Sequence, residues 1–275
     1  MNRRLGKALS LPEGASFLDE EGRIDMWMFS EKNGGAFPEE GADGIAMDTW
    51  HIHEKKVAPV VRSESMQRHF GGSSEAYLHM KRSKRFRDGE LGEKAFFYVL
   101  NRLLGKRYLT LRASLYDDFE NKVDFILVDL KGSESKPFLV DMFVSDDPSC
   151  PREMHIASEK SEFFSKKRRN GVKYGIHRTK SGGLERDSLE HLPGIVVPVG
   201  KRELKSFYED LADTRTFDAE PTDAEWEFFE HVVSSFADRL PPDKELKTEH
   251  SIPLLVFLEL AQRRIDKRHE MRERS

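Results

Sequence analysis

The chain has 275 residues, enough for one large domain or for a core with appendages. Charged residues make up 34% and hydrophobic ones 37%, and 19 Phe with 3 Trp supply the bulky apolar surface of a packed core, which excludes a disordered chain. The net charge of −4 gives no global pull toward nucleic acid, and the lone Cys150 excludes both an intramolecular disulfide framework and a cysteine zinc cluster.

The N-terminus is basic (Arg3, Arg4, Lys7), but charge returns at Glu13, so no signal peptide is expected. No apolar run reaches the length of about 18 residues that spans a bilayer. A soluble protein of the reducing cytoplasm is the expectation. Residues 1–85 are rich in Gly, Asp and Glu and read as a β-rich and loop extension, with strands over 24–29 and 45–52. A basic run from Lys81 to Arg87 leads into the next unit.

The spacing of Leu91, Ala95, Val99 and Leu103, joined by Phe96, Leu100 and Leu104, predicts an amphipathic helix over 90–104, with Gly105 placed to cap it. Three strands are expected next, over 108–116, 122–130 and 137–145, the last two joined by a polar hairpin loop over 131–136. A charged helix over 151–169 follows and breaks at Gly171. The segment from His177 to Gly183 reads as a flexible loop that borders a groove. Gly194 to Val199 is a short buried strand backed by a helix over 201–211. Two more helices, over 223–239 and 252–268, close the chain, the first with an apolar stripe through Trp226, Phe229, Val233 and Phe236. Helix, strand meander, helix, strand and helix imply an α/β fold with a mixed central sheet flanked by helices. We divide the chain into a β-rich extension (1–85), a core (86–213) and a C-terminal helical extension (214–275).

The two central strands are apolar on both pleat faces apart from Asp124 and Asp141, so the sheet is expected to be covered on both sides. A carboxylate in such a run must be paired, hydrogen-bonded or metal-bound. If the loop closes the hairpin symmetrically, Asp124 faces Phe143 and Asp141 faces Ile126. The two acids then share a face as diagonal neighbours with Cβ atoms about 7–8 Å apart or less, and one Mg²⁺ held partly through water bridges that gap. Strand-end acids bonded to backbone or to a lysine are the alternative.

That order of elements and acids resembles the PD-(D/E)XK nuclease superfamily, the restriction-endonuclease-like fold. Its core is a glutamate-bearing helix, a meander carrying an Asp and a Glu-x-Lys, then a helix and a further strand. Gly89-Glu90-Leu91-Gly92-Glu93-Lys94 is similar to the family's helix, with Glu93 (or Glu90) as its acid. Val123-Asp124-Phe125 resembles the Asp strand, and Val140-Asp141-Met142-Phe143 the strand of the second acid. The resemblance implies that Glu93, Asp124 and Asp141 bind Mg²⁺ for phosphodiester hydrolysis on DNA. Phe143 stands where the motif has its lysine, and Lys160, on the following helix, is the candidate substitute. Without a lysine the same fold implies a catalytically inactive module that binds nucleic acid or protein.

Lys166, Lys167, Arg168 and Arg169 form a basic cluster suited to phosphates, although a solvated helix end has the same composition. His51 and His53 share a strand face, but no third metal ligand accompanies them. No phosphate-binding P-loop, dinucleotide fingerprint or nucleophile elbow is present.

Overall fold

The computed structural model describes residues 23, 24, 48, 84–131, 136–147, 150, 155, 171–213, 220–240 and 252–274. The strand expected over 24–29 (beyond Ile24), the one over 45–52 (beyond Asp48) and almost all of the helix over 151–169 lie outside the described residues, as do His51, His53, Lys160, Lys166, Lys167, Arg168 and Arg169.

Helix α1 spans Lys84–Leu104, six residues longer at its start than the apolar stripe predicts, because the stripe marks only the buried part. Its Ala95, Phe96, Val99, Leu100 and Leu103 are buried as the spacing requires. The strands β1 (Tyr108–Arg112), β2 (Phe125–Asp129) and β3 (Phe138–Ser145) follow, then β4 (Val172–Arg178), β5 (Leu184–Leu189) and β6 (Gly194–Gly200). Helices α2 (Lys201–Asp213), α3 (Asp223–Ala237) and α4 (Ile252–Glu273) complete the described chain. The fold is mixed α/β. One sheet has the order β1-β2-β3-β6, with β1, β2 and β3 antiparallel in turn and β6 parallel to β3.

The sheet is apolar on both faces, as the runs in β2 and β3 predict. One face, with Phe125, Leu127, Phe138, Val140 and Val197, packs under the four described helices. The opposite face, with Leu109, Leu111, Ile126, Leu139 and Val196, is covered by Val172, Tyr174 and Ile176 of β4 and by Ile24. Helix α3 begins with a capping box: the Thr222 hydroxyl accepts from the Glu225 N–H, and the Glu225 carboxylate accepts from the Thr222 N–H.

Three expectations are corrected. The first strand stops at Arg112, and the chain then enters a π-helical turn, Asp117–Asn121, closed by Lys122 in the left-handed region (φ 58°). The segment read as a flexible loop is the turn of an ordered hairpin, β4–β5, in which Gly182 takes a φ of 92° and Thr179 N donates to Gly183 O at 2.9 Å. In the central hairpin Phe125 pairs with Val140 and Ile126 with Leu139, so Ile126 does not face Asp141. The loop is not closed symmetrically. The displacement is two residues, and an even displacement leaves every side chain on its expected face.

Phe236 sits at the centre of the helical layer, with ring centroids 4.9 Å from Phe257, 6.2 Å from Phe138 and 6.4 Å from Phe96. Phe236→Ala is expected to lower the unfolding free energy by about 3–5 kcal/mol in a urea titration. A loss of a few tenths of that size would mean that α3 contributes little to the core.

Candidate functional site

The site is built where the sheet, α1 and the π-helical turn meet. Asp124 immediately precedes β2, and its backbone continues the ladder on both sides: its N–H donates to Val140 O (2.9 Å) and its carbonyl accepts from Ala113 N (2.8 Å). Its side chain turns to the neighbouring strand, where Oδ2 accepts from the Met142 N–H at 2.6 Å. Asp141 lies in β3 opposite Val196 of β6 and is 5% exposed. Glu93 comes from α1, and Gly92 lets that helix approach β3 closely: a Cβ on Gly92 would lie 2.5 Å from Val144 Cγ2 and 3.0 Å from Met142 Cε.

Burial raises the Asp124 pKa well above the ordinary carboxylate value, and the charges of Glu93, Asp141 and Asp118 raise it further, in that order; the Met142 N–H pulls the other way. The three acids named from sequence are therefore electrostatic neighbours. Asp118, in the π-helical turn, is a fourth. Its own pKa is raised by burial and by Glu93 against the opposing pull of Arg23 and Arg112.

Glu93 carries a different set of contacts from the metal-ligand role expected of it. Its Oε2 accepts from Arg112 Nη2 at 2.6 Å and from Arg23 Nη2 at 3.4 Å. Arg23 also donates through Nη1 to Asp118 Oδ2 (3.0 Å) and to Ala113 O (2.9 Å). Glu90, the alternative helix acid, instead pairs with Lys94 at 2.8 Å within α1. Phe143, at the motif-lysine position, packs half-buried against the core beneath β4.

Asp117 holds this arrangement in place. It is fully buried and accepts from Ser114 Oγ (2.8 Å), Asn121 Nδ2 (2.8 Å), Lys173 N (2.7 Å) and Tyr174 N (3.1 Å). Two of those donors shape the π-helical turn and two belong to β4, so one carboxylate locks the turn that presents Asp118 to the strand covering the sheet. Tyr174 OH and Lys173 Nζ both reach Asp48 Oδ2, at 2.7 and 2.9 Å.

Asp118, Arg23 and Arg112 escape sequence reading. Arg112 ends an apolar strand, and Arg23 lies 70 residues before the Glu93 it contacts. Only the Asp117-Asp118 doublet, shortly after β1, hints at Asp118.

Hard oxygen donors suit Mg²⁺, which usually takes one or two carboxylates from a protein and fills its shell with water and phosphate. Asp124 and Asp141 fit that pattern. Among the described residues no group of three His, Cys, Asp or Glu side chains is placed to hold a metal, in keeping with the turn of Glu93 toward its two arginines.

No protein-family model, no curated protein and no solved structure matches the chain. Among the described residues no helix is long and apolar enough to cross a membrane.

The raised Asp124 pKa has a sign that stability measurements can read. The folded state holds the proton more tightly than the unfolded chain, whose Asp titrates near about 3.9. Asp124 therefore favours folding at low pH, and stability is lost as pH rises from the unfolded value through the raised folded one. Asp124→Asn keeps an oxygen for the Met142 N–H and carries no charge. The variant is expected to melt higher than wild type at neutral pH and to show a shallower fall of Tm with pH. Equal slopes would mean that Asp124 ionises in the fold at no cost.

Proposed function

We propose that the chain is a restriction-endonuclease-like protein of the PD-(D/E)XK superfamily and a Mg²⁺-dependent endonuclease that hydrolyses phosphodiester bonds in DNA. The observation that carries the reading is Asp124, a partly buried carboxyl immediately before β2 whose pKa is driven up by burial and by three surrounding acids. Such a concentration of carboxyl groups opposes folding and is commonly kept where it binds a cation or moves a proton. The topology supports the fold half of the reading: a glutamate-bearing helix, an antiparallel meander with acids at the start of its second strand and within its third, and a further strand parallel to the third.

In this reading Asp124 and Asp141 would hold the ion. Bound there, Mg²⁺ supplies a water of lowered pKa and offsets charge on the attacked phosphate. The chain contributes the rest. The Met142 N–H fixes the Asp124 carboxyl against β3. Glu93 orients Arg112 and Arg23 at the same end of the sheet. Lys160 is the proposed replacement for the lysine missing at Phe143, and Lys166, Lys167, Arg168 and Arg169 the proposed contacts to the DNA backbone.

Phe143 favours a second reading, a catalytically inactive nuclease fold that binds nucleic acid or a protein partner. An apolar side chain at that position cannot donate to phosphate.

Incubation of supercoiled plasmid, linear duplex and branched DNA with Mg²⁺ or Mn²⁺ separates the two. Wild type should nick or cut in a metal-dependent way, and Asp124→Asn and Asp141→Asn should each lose activity by a factor on the order of a hundred or more, the size of a few kcal/mol of transition-state stabilisation. No cleavage by wild type, with DNA retarded in a gel, would establish the binding reading. Cleavage undiminished in Asp124→Asn would place the chemistry elsewhere.

A further inference from the structure

We propose that a cavity at the end of β4 binds a nucleoside monophosphate unit, free or within a nucleic-acid strand, with Lys136, Arg178 and Lys180 on the phosphate and Pro137, Leu189 and Leu192 under the base. The site is separate from the acid cluster and does not depend on cleavage there. β4 starts beside Asp117, to which Lys173 N and Tyr174 N donate, and carries the chain to the cavity at its other end.

Four strand ends meet at the cavity. His177 and Arg178 end β4, Leu189 ends β5, Pro137 directly precedes β3 and Leu192 lies just before β6. The volume is about 540 Å³, within the range of roughly 300–1,000 Å³ in which small-molecule sites fall. Pro137 and Leu192 are buried and Leu189 is half-buried, so they form an apolar floor. Gly175 seats Leu189 across β4, since a Cβ there would lie 2.7 Å from Leu189 Cγ. Arg178 is seated by the hairpin turn: its Nε donates to Gly182 O at 3.4 Å, and its Nη2 lies 3.1 Å from where a Cβ on Gly182 would stand. Gly182 already requires glycine for its φ of 92°, and the missing Cβ also leaves room for the guanidinium.

Charge narrows the ligand. Three cations face two carboxylates, Glu185 and Glu190, whose side chains are 67% and 60% exposed and stand at the rim. The small positive excess suits one phosphate better than a polyphosphate tail. A guanidinium fork matches two phosphate oxygens, and lysines add point charges. The exposed carboxylates are acceptors for the amino group of a base. His177 supplies a second, independent observation. Its Nδ1 is buried with no hydrogen-bond partner, and its Nε2 stands 3.9 Å from Glu185 Oε2, beyond hydrogen-bond reach. Neither ring nitrogen is satisfied within the protein, and a phosphate or ribose oxygen in the cavity gives the ring the partner it lacks.

The test is calorimetric titration of the full chain with nucleoside 5′-monophosphates, inorganic phosphate and a short single-stranded oligonucleotide. Wild type should bind a monophosphate more tightly than inorganic phosphate. Arg178→Gln and Lys180→Gln, both at an exposed turn, should each weaken it by a factor on the order of ten or more. Leu189→Ala should weaken the nucleotide by a few-fold and leave inorganic phosphate unchanged. Tighter binding of the oligonucleotide, lost with added salt, would assign the site to a strand; equal or weaker binding would assign it to the free nucleotide. No binding of any nucleotide at millimolar concentration overturns the proposal, as does binding that both glutamine variants leave unchanged. Inorganic phosphate bound as tightly as the nucleotides also overturns it, because the cavity then holds an anion and reads no base.

Discussion

Burial of the central sheet on both faces constrains everything else in the molecule. Among the described residues, four helices cover one face and β4 with Ile24 covers the other, so the middle of β2 and β3 has no room for solvated charge. Polar groups are pushed to the margins of the sheet, where each must find a partner. Asp129 at the end of β2 takes Arg107 at 2.8 Å. At the other end of that strand, Asp124 takes a backbone N–H and a crowd of like charges. The contrast between these two ends of one strand is the clearest sign that they serve different purposes. One end is neutralised and the other is left loaded.

The loaded end is assembled by distant parts of the chain, each placed by its own local physics. Gly92 brings α1 close enough to β3 for Glu93 to reach the margin. Asp117 fixes the π-helical turn through four hydrogen bonds, two of them from the β4 backbone, and so sets the position of Asp118. A carboxylate buried with several donors is satisfied rather than reactive, and its raised pKa reflects burial resisted by those donors. Asp117 is fully buried and Asp124 partly buried, and the two lie near one another in sequence. Donors surround the first and carboxyl groups the second, and that difference separates scaffold from candidate chemistry.

How much of this was legible depended on how local each signal is. The stripe from Leu91 to Leu104 and the apolar runs of β2 and β3 are local and strong, so α1, both strands and their two acids could be read directly. The hairpin β4–β5 was not readable, because β5 alternates Leu184, Glu185, Arg186, Asp187 and Ser188 with no buried residue, and its order comes from pairing with β4 rather than from its own composition. The hairpin register was two residues off because turn geometry, not strand pattern, decides how a loop closes. The face of each acid survived that error, since pleat parity is insensitive to an even shift. Arg23 and Arg112 were invisible for another reason: a cation reaching an acid across 70 residues leaves no periodic trace.

The anchoring of Arg23 and Ile24 has a further effect unrelated to charge. With the order β1-β2-β3-β6, β1 is an edge strand, and all five of its residues are buried. An exposed strand edge offers unpaired main-chain groups to any other chain, and an apolar edge is the most hazardous. The Ile24 N–H takes the Arg112 carbonyl, and the Ile24 side chain joins the core beneath, 1% exposed. Among the described residues, Arg23 and Ile24 therefore cover one end of this edge. Loss of this contact would expose main-chain hydrogen-bonding capacity and apolar surface together, and self-association would follow from the same event that removes a cation from the acid cluster.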